Sequence, residues 1–209
     1  TRLIVLDRNP RILKTLDVDT AEYMINILKR EGVETIEDST VKRVEKIEEG
    51  VRVYYDTKGA IHTLEVEEVF WATGRRPNIH GMGLENARVE YTPQGIVSNE
   101  YLQTTQPHIY VCGDVTTPVK FTHTAAYQAE ICLDNITFEE KRTNDLTDLP
   151  WTIFTAPEIG RVGLSEKEAQ AKYGEKLSVF KVTGTIDRYK TDVKEGGFLK
   201  VFFDDQDHV

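Results

Sequence analysis

Several places in the sequence put a polar side chain where a folded chain could use it chemically. Asp7 ends the apolar run Leu3-Ile4-Val5-Leu6. An acidic residue at the tip of a strand in a dinucleotide-binding βαβ unit can accept hydrogen bonds from both ribose hydroxyls of an adenosine. Arg8 follows, a guanidinium able to turn toward a phosphate on the same ribose. Taken alone, Asp7 is more simply a turn aspartate between strand and helix. The segment Ala72-Thr73-Gly74-Arg75-Arg76-Pro77-Asn78 places a glycine behind an apolar run, where the backbone can approach a flat ligand, and a proline that fixes the exit path. Arg75 could face a phosphate, or simply water. Gly113 and Asp114 follow Ile109-Tyr110-Val111-Cys112. A carboxylate there, at the C-terminal edge of a strand, can accept a hydrogen bond from a sugar-like hydroxyl. Shortly after, Phe121-Thr122-His123-Thr124 opens a helix whose free N–H groups and positive dipole end suit an electron-rich ring edge that gains charge on reduction. Plain N-capping by Thr122 or Thr124 is the alternative. His123 has the type of an acid–base residue, but no partner is visible in the sequence, which favours a structural role.

The elements needed to position these residues follow from periodicity. Residues 3–6 read as a strand buried on both faces. Met24, Ile27 and Leu28 mark one face of a helix, Gly32 ends it, and residues 33–36 form the next strand. The βαβ order predicts a parallel pair. Residues 41–47, 51–55 and 61–66 alternate in polarity, with Glu49-Gly50 and Lys58-Gly59 between them, as an antiparallel meander does. Buried strands are expected at 69–72 and 109–112, a short strand at 95–97 and a helix over 124–136. Residues 139–148 are polar and read as a linker. Strands at 152–154 and 160–163, a capping box at Ser165-Glu166-Lys167-Glu168, and strands at 179–183 and 198–203 complete the chain.

Composition narrows the function classes. Against 26 Lys and Arg stand 35 Asp and Glu, a net charge of −9, which disfavours a nucleic-acid partner. No apolar run approaches the roughly 18–20 residues that span a bilayer, so no membrane partner is expected. The absence of a basic-then-apolar leader and of a cysteine framework points to a reducing cytoplasm. Cys112 and Cys132 match neither a CxxC pair nor a zinc ligand set and read as small buried hydrophobes. The chain starts at Thr1, directly before a strand, which predicts a piece cut within a domain.

In order and register these segments resemble the pyridine nucleotide–disulfide oxidoreductases. The likeness runs from Leu6-Asp7-Arg8 and Arg11-Ile12-Leu13 through the 72–78, 109–114 and 121–126 motifs. It continues in Phe154-Thr155-Ala156-Pro157-Glu158-Ile159, Val162-Gly163-Leu164-Ser165-Glu166 and Gly197-Phe198-Leu199-Lys200-Val201. Each motif is weak alone; together they are specific and cover nearly the whole chain. Residues 121–136 are most like the mercuric-reductase-like and dihydrolipoamide-dehydrogenase-like members.

The resemblance implies an α/β fold: a partial Rossmann-like FAD/NAD(P) two-dinucleotide fold followed by the start of an α+β dimerisation domain. Residues 1–71 would end the NAD(P)-binding domain, 72–148 would be the C-terminal segment of the FAD-binding domain, and 149–209 the first part of the dimerisation domain. Asp7 and Arg8 would meet the nicotinamide cofactor's adenosine ribose, with Thr73, Gly74 and Arg75 lining that cleft. Gly113 and Asp114 would hold the ribityl chain of FAD, and Phe121, Thr122 and His123 would sit by the isoalloxazine. The family's glycine-rich loops, its redox cysteine pair and its catalytic His-Glu pair have no counterpart here, so catalytic residues and metal ligands are expected to be none. The implied activity is electron transfer between a nicotinamide and a disulfide, dithiol or metal-ion acceptor, in a homodimer formed through the C-terminal domain. By itself the chain is expected to be inactive. Two other readings remain open: an NADH oxidase or transhydrogenase-like flavoprotein lacking the redox disulfide, and a non-catalytic dimerising module that has lost flavin.

Overall fold

The computed structural model describes residues 2–184, 196–206 and 209, and divides into two compact units: Thr1–Ala72 with Ser165–Val209, and Thr73–Leu164. In the first unit, β1 (Leu3–Leu6) and β2 (Val33–Ile36) pair in parallel, joined by α1 (Val18–Arg30). This is the expected βαβ order. The helix buries Ala21, Met24, Ile25 and Ile27, an apolar stripe at helical spacing. Asp19 in its first turn and Lys29 and Arg30 in its last complement the helix dipole. The expectation that β1 is buried on both faces is corrected. Leu3 is exposed and the rest of the strand half-buried, because β2 is its single sheet neighbour among the described residues.

The meander comprises β3 (Ser39–Ile47), β4 (Gly50–Thr57) and β5 (Ala60–Val66) in antiparallel register, with an irregularity between Val41 and Arg43. Val53 and Tyr55 point into the buried face. Tyr54, on the other face, donates to Glu45 at 2.6 Å, beside Arg52, which donates to Glu65 at 2.6 Å. In the same unit, Gly197–Phe203 and Ser178–Gly184 form an antiparallel pair that follows the helix Glu166–Tyr173. The capping box is present in full: the Glu168 N–H donates to the Ser165 hydroxyl and the Ser165 N–H to the Glu168 carboxylate.

The second unit is mostly irregular. Its regular elements are β6 (Tyr91–Thr92), β7 (Gly95–Ile96), α2 (Thr122–Thr137), β8 (Trp151–Ile153) and β9 (Ile159–Arg161). In chain order α3 is then the helix Glu166–Tyr173, β10 is Ser178–Gly184 and β11 is Gly197–Phe203. Ile79, Leu84, Val89, Ile96 and Val111 make one core cluster, and Leu102, Ile131 and Cys132 another.

Two expected strands do not form. Residues 69–72 are not paired, and Phe70 is 93% exposed. Residues 109–112 make a single bridge, Tyr110 to Gln103. A strand exists only against a hydrogen-bonding neighbour, and an apolar run does not supply one.

The 139–148 segment has no helix or strand but is tied down. Asn135 Nδ2 donates to the carbonyls of Tyr101 and Arg142, and its Oδ1 accepts from the Arg142 N–H at 2.7 Å. The Asn144 N–H donates to the Glu100 carbonyl at 2.7 Å. Among the described residues, no helix is long and apolar enough to cross a membrane.

Candidate functional site

The centre of the second unit is the 3-10 turn Gly113–Val115 packed on the first turns of α2. Gly113 adopts φ of +79°, and a Cβ there would lie 3.2 Å from the Ala125 Cβ. A side chain would therefore be strained in backbone and crowded by the helix at once. Gln128, fully buried on α2, accepts the Gly113 N–H at 2.7 Å through Oε1 and donates from Nε2 to Asn144 at 3.2 Å. The turn is thus fixed in orientation and delivers the next side chain, Asp114.

That carboxylate is half-exposed and accepts no hydrogen bond among the described residues. Arg75 approaches it at 3.7 Å, and Lys120 donates to the Asp114 carbonyl at 2.6 Å. Arg75 and Lys120 also border an open cavity of about 580 Å³, with Arg76, Thr116 and Thr117 on its walls.

Helix α2 begins without a side-chain cap. Its N-cap is Phe121, in extended conformation, and the first intrahelical bond is from the Ala125 N–H to the Phe121 carbonyl. The N–H groups of Thr122, His123 and Thr124 precede that bond, so the helix start presents donors and a positive dipole end. The Thr124 hydroxyl is fully buried and has no hydrogen-bond partner among the described residues. Capping by Thr122 or Thr124, the alternative in the sequence, does not occur. His123 is placed by two contacts: Nε2 donates to the Pro150 carbonyl at 2.6 Å, and its ring stacks on Phe121 at 5.4 Å. Phe121 in turn stacks on Trp151 at 6.2 Å.

The other sequence-predicted residues are distributed as follows. Thr73, Gly74 and Arg75 belong to the same unit and are exposed; Gly74 takes φ of +113°. Of the three, Arg75 reaches the Asp114 carboxylate, at 3.7 Å. Asp7 and Arg8 lie in the other unit, at the tip of β1. Asp7 Oδ1 accepts the N–H of Asn9 at 2.8 Å and its Nδ2 at 2.6 Å, an Asx turn. Its Oδ2 has no hydrogen bond among the described residues. Arg8 is exposed.

Two residues that hold the site were missed, Gln128 and Lys120. The signal for Gln128 was present. Thr124, Gln128, Ile131 and Asn135 share one helical face, and long polar side chains on a buried stripe are expected to be hydrogen-bonded, as Gln128 and Asn135 are. Lys120 carries no comparable mark in the sequence.

These donors and acceptors fit a flavin dinucleotide. An uncapped helix start suits the ring edge, the half-exposed Asp114 carboxylate suits a polyol hydroxyl, and an orphaned buried hydroxyl lies in the same helical turn.

Comparison with known proteins agrees. The family model for pyridine nucleotide–disulphide oxidoreductases matches residues 1–129, and the model for the family's dimerisation domain matches residues 149–209. The chain is 36% identical to mercuric reductase of Staphylococcus aureus over 86% of its own length and 33% of that protein's. It is 30% identical to a dihydrolipoyl dehydrogenase of Bacillus subtilis over 97% of its length and 43% of that protein's. The HOCl-induced flavoprotein disulfide reductase RclA from Escherichia coli superposes with a TM-score of 0.87 at 28% identity, covering 99% of this chain and 47% of that one. The chain thus spans about a third to a half of the length of the relatives it matches. Its α/β architecture is part of a Rossmann-like two-dinucleotide fold followed by dimerisation-domain sequence. The chain belongs to the pyridine nucleotide–disulphide oxidoreductases, a family of FAD- and NAD(P)-dependent flavoprotein oxidoreductases.

Proposed function

We propose that this protein is an FAD-dependent NAD(P)H oxidoreductase that moves electrons between a nicotinamide cofactor and a disulfide, dithiol or metal-ion acceptor. FAD, when bound, relays the electron pair of a nicotinamide hydride to the acceptor. The residues of this chain bind and orient. Asp114 accepts a ribityl hydroxyl, on a turn that Gln128 holds in place, and Arg75 limits the freedom of that carboxylate. The N–H groups of Thr122 and His123 face the pyrimidine edge, where negative charge develops on reduction, and Phe121 and His123 wall the helix start. Asp7 meets the ribose of the nicotinamide cofactor with its open Oδ2, and Arg8 follows it at the tip of β1. On this reading residues 1–71 end the NAD(P)-binding domain, 72–148 close the FAD-binding domain and 149–209 begin a dimerisation domain. Exposed Val179, Phe180, Val182 and Leu199 on β10 and β11 support a homodimer. The two unbridged thiols accord with a reducing cytoplasm.

The observation that carries this reading is a half-exposed carboxylate with no hydrogen bond on a turn locked to an uncapped helix. In the full-length protein, Asp114→Ala is expected to weaken FAD by about 1.5–3 kcal/mol, the worth of a hydrogen bond to a charged group. Flavin retained after dialysis measures it against Asp205→Ala, which loses only the surface pair to Lys176. Equal retention in the two variants would reduce Asp114 to a turn residue.

A further inference from the structure

Cys112 and Cys132 are the two cysteines of the sequence, and both are free thiols. They are about twenty residues apart in the chain and meet in space. Cys112, at the end of the 109–112 segment, packs against the cluster of Leu102, Ile131 and Cys132, and its side chain is near enough to help raise the Cys132 pKa. Cys132 Sγ also donates to the Val111 carbonyl at 3.8 Å, so the thiol of α2 is aimed at the backbone just before Cys112. Their access differs: Cys132 is 8% exposed, whereas Cys112 is only partly buried. Burial, reinforced by the neighbouring Cys112 thiol, pushes Cys132 up to about 11. Cys132 therefore stays protonated at neutral pH and is a poor first nucleophile.

We propose that Cys112 and Cys132 form a peroxide-responsive dithiol in which Cys112 is oxidised first and Cys132 closes the disulfide. The Cys112 thiolate attacks one oxygen of hydrogen peroxide; the O–O bond breaks, a proton is taken up, and water leaves, giving a sulfenic acid. The Cys132 sulfur then attacks the Cys112 sulfur. The S–OH bond breaks, and the hydroxyl departs with the Cys132 proton as a second water. Two thiols lose two electrons, and one peroxide gains them. The order follows from access: the oxidant reaches the partly buried Cys112, and the buried Cys132 thiol packs in the same cluster to resolve the intermediate. The bond would tie α2 to the segment that leads into Gly113 and Asp114. It is separate from any disulfide used in turnover, and it does not depend on the flavin assignment.

The test is peroxide treatment of the whole protein, blocking of free thiols and peptide mapping by mass spectrometry. Wild type is expected to yield a Cys112–Cys132 linked peptide that dithiothreitol reverses. Cys132→Ser should leave Cys112 as a sulfenic acid trapped by dimedone, and Cys112→Ser should leave Cys132 reduced under the same conditions. Over-oxidation of Cys112 in wild type with Cys132 still reduced would overturn the proposal. So would unchanged thiols at peroxide levels that modify a control cysteine peptide, or oxidation of Cys132 in Cys112→Ser.

Discussion

Asp17, Asp19 and Glu166 gather three carboxylates in one unit, while Asp114 stands nearly alone in the other. Their carboxylate oxygens lie close enough together to hold a metal ion. Yet Lys200 already occupies the centre, with Nζ at 3.0 Å from Asp17, 2.8 Å from Asp19 and 2.6 Å from Glu166, and a side chain only 8% exposed. Lys181 adds a second ammonium to Asp19 at 2.7 Å, and the Glu166 N–H donates to Asp17 at 3.0 Å. Burial alone would lower the Lys200 pKa, but the hydrogen bonds it donates to Asp19, Glu166 and Asp17 raise it instead. The Asp114 carboxylate is approached by Arg75 at 3.7 Å, on an exposed side chain, while Lys120 donates to the Asp114 carbonyl. Proximity of acids therefore does not identify a site. Where the charges are answered, the cluster holds the unit together by joining α1, α3 and β11; where a carboxylate is left open on a locked turn, it is available to a ligand.

The strongest way to break this contrast is to remove the answering charge. Lys200→Met leaves three carboxylates facing one another with Lys181, at Asp19, as the remaining cation. It is expected to cost about 1–2 kcal/mol of stability, between an exposed ion pair and a buried one, because the carboxylates left behind are partly solvated; urea unfolding of the two proteins measures it. A loss no larger than that of an exposed lysine control such as Lys167→Met would mean that the network is a solvated surface feature. At the tip of β1, Asp7→Ser tests whether an Asx-turn carboxylate still selects a cofactor. A carboxylate pairs with free ribose hydroxyls and repels a 2′-phosphate. The wild-type protein should thus prefer NADH, and the variant should narrow the gap by roughly fivefold, about 1 kcal/mol, chiefly by improving NADPH. The readout is kcat/KM with each cofactor; preference for NADPH in the wild type would pass the selecting role to Arg8.

Acid gives a finer comparison. Burial raises the Asp19 pKa, but hydrogen bonds from Lys181 and Lys200 outweigh it and hold the carboxyl at about 2, against 3.8 unperturbed. A depressed carboxyl contributes stability that is complete above its unfolded pKa and lost as pH falls through the folded one. Unfolding midpoints should therefore decline between about pH 4 and 2, and less steeply in Asp19→Asn. Smallest of all, Asp114→Asn should change stability by less than about 0.5 kcal/mol, as exposed substitutions do. A larger loss in the same urea experiment would make Asp114 a structural residue after all.

Local signals made much of this legible. The alternation over 41–66 predicts the meander, and the Met24–Ile27 spacing and the Ser165–Glu168 box mark α1 and α3. The apolar runs at 69–72 and 109–112 misled because pairing is a property of neighbours, not of the run. Gly113, Asp114 and the start of α2 are adjacent in both sequence and space, so that part of the candidate site could be read directly. Arg75 reaches Asp114 across nearly forty residues, and Lys200 reaches Asp19 across far more. No local pattern reports such pairs. The Lys200 network went unnoticed for that reason, although each of its members is an ordinary charged residue in plain view.

The stack at the start of α2 also equips the protein with its own optical probe. Of its two tryptophans, Trp71 is 57% exposed and should emit as indole does in water. Trp151 lies against Phe121, with the Arg161 guanidinium 5.5 Å from its ring centroid. Its fluorescence should be shifted to the blue and sensitive to whatever settles on the helix mouth. A ligand arriving there would alter one emission band and leave the other unchanged, so occupancy can be followed without a label.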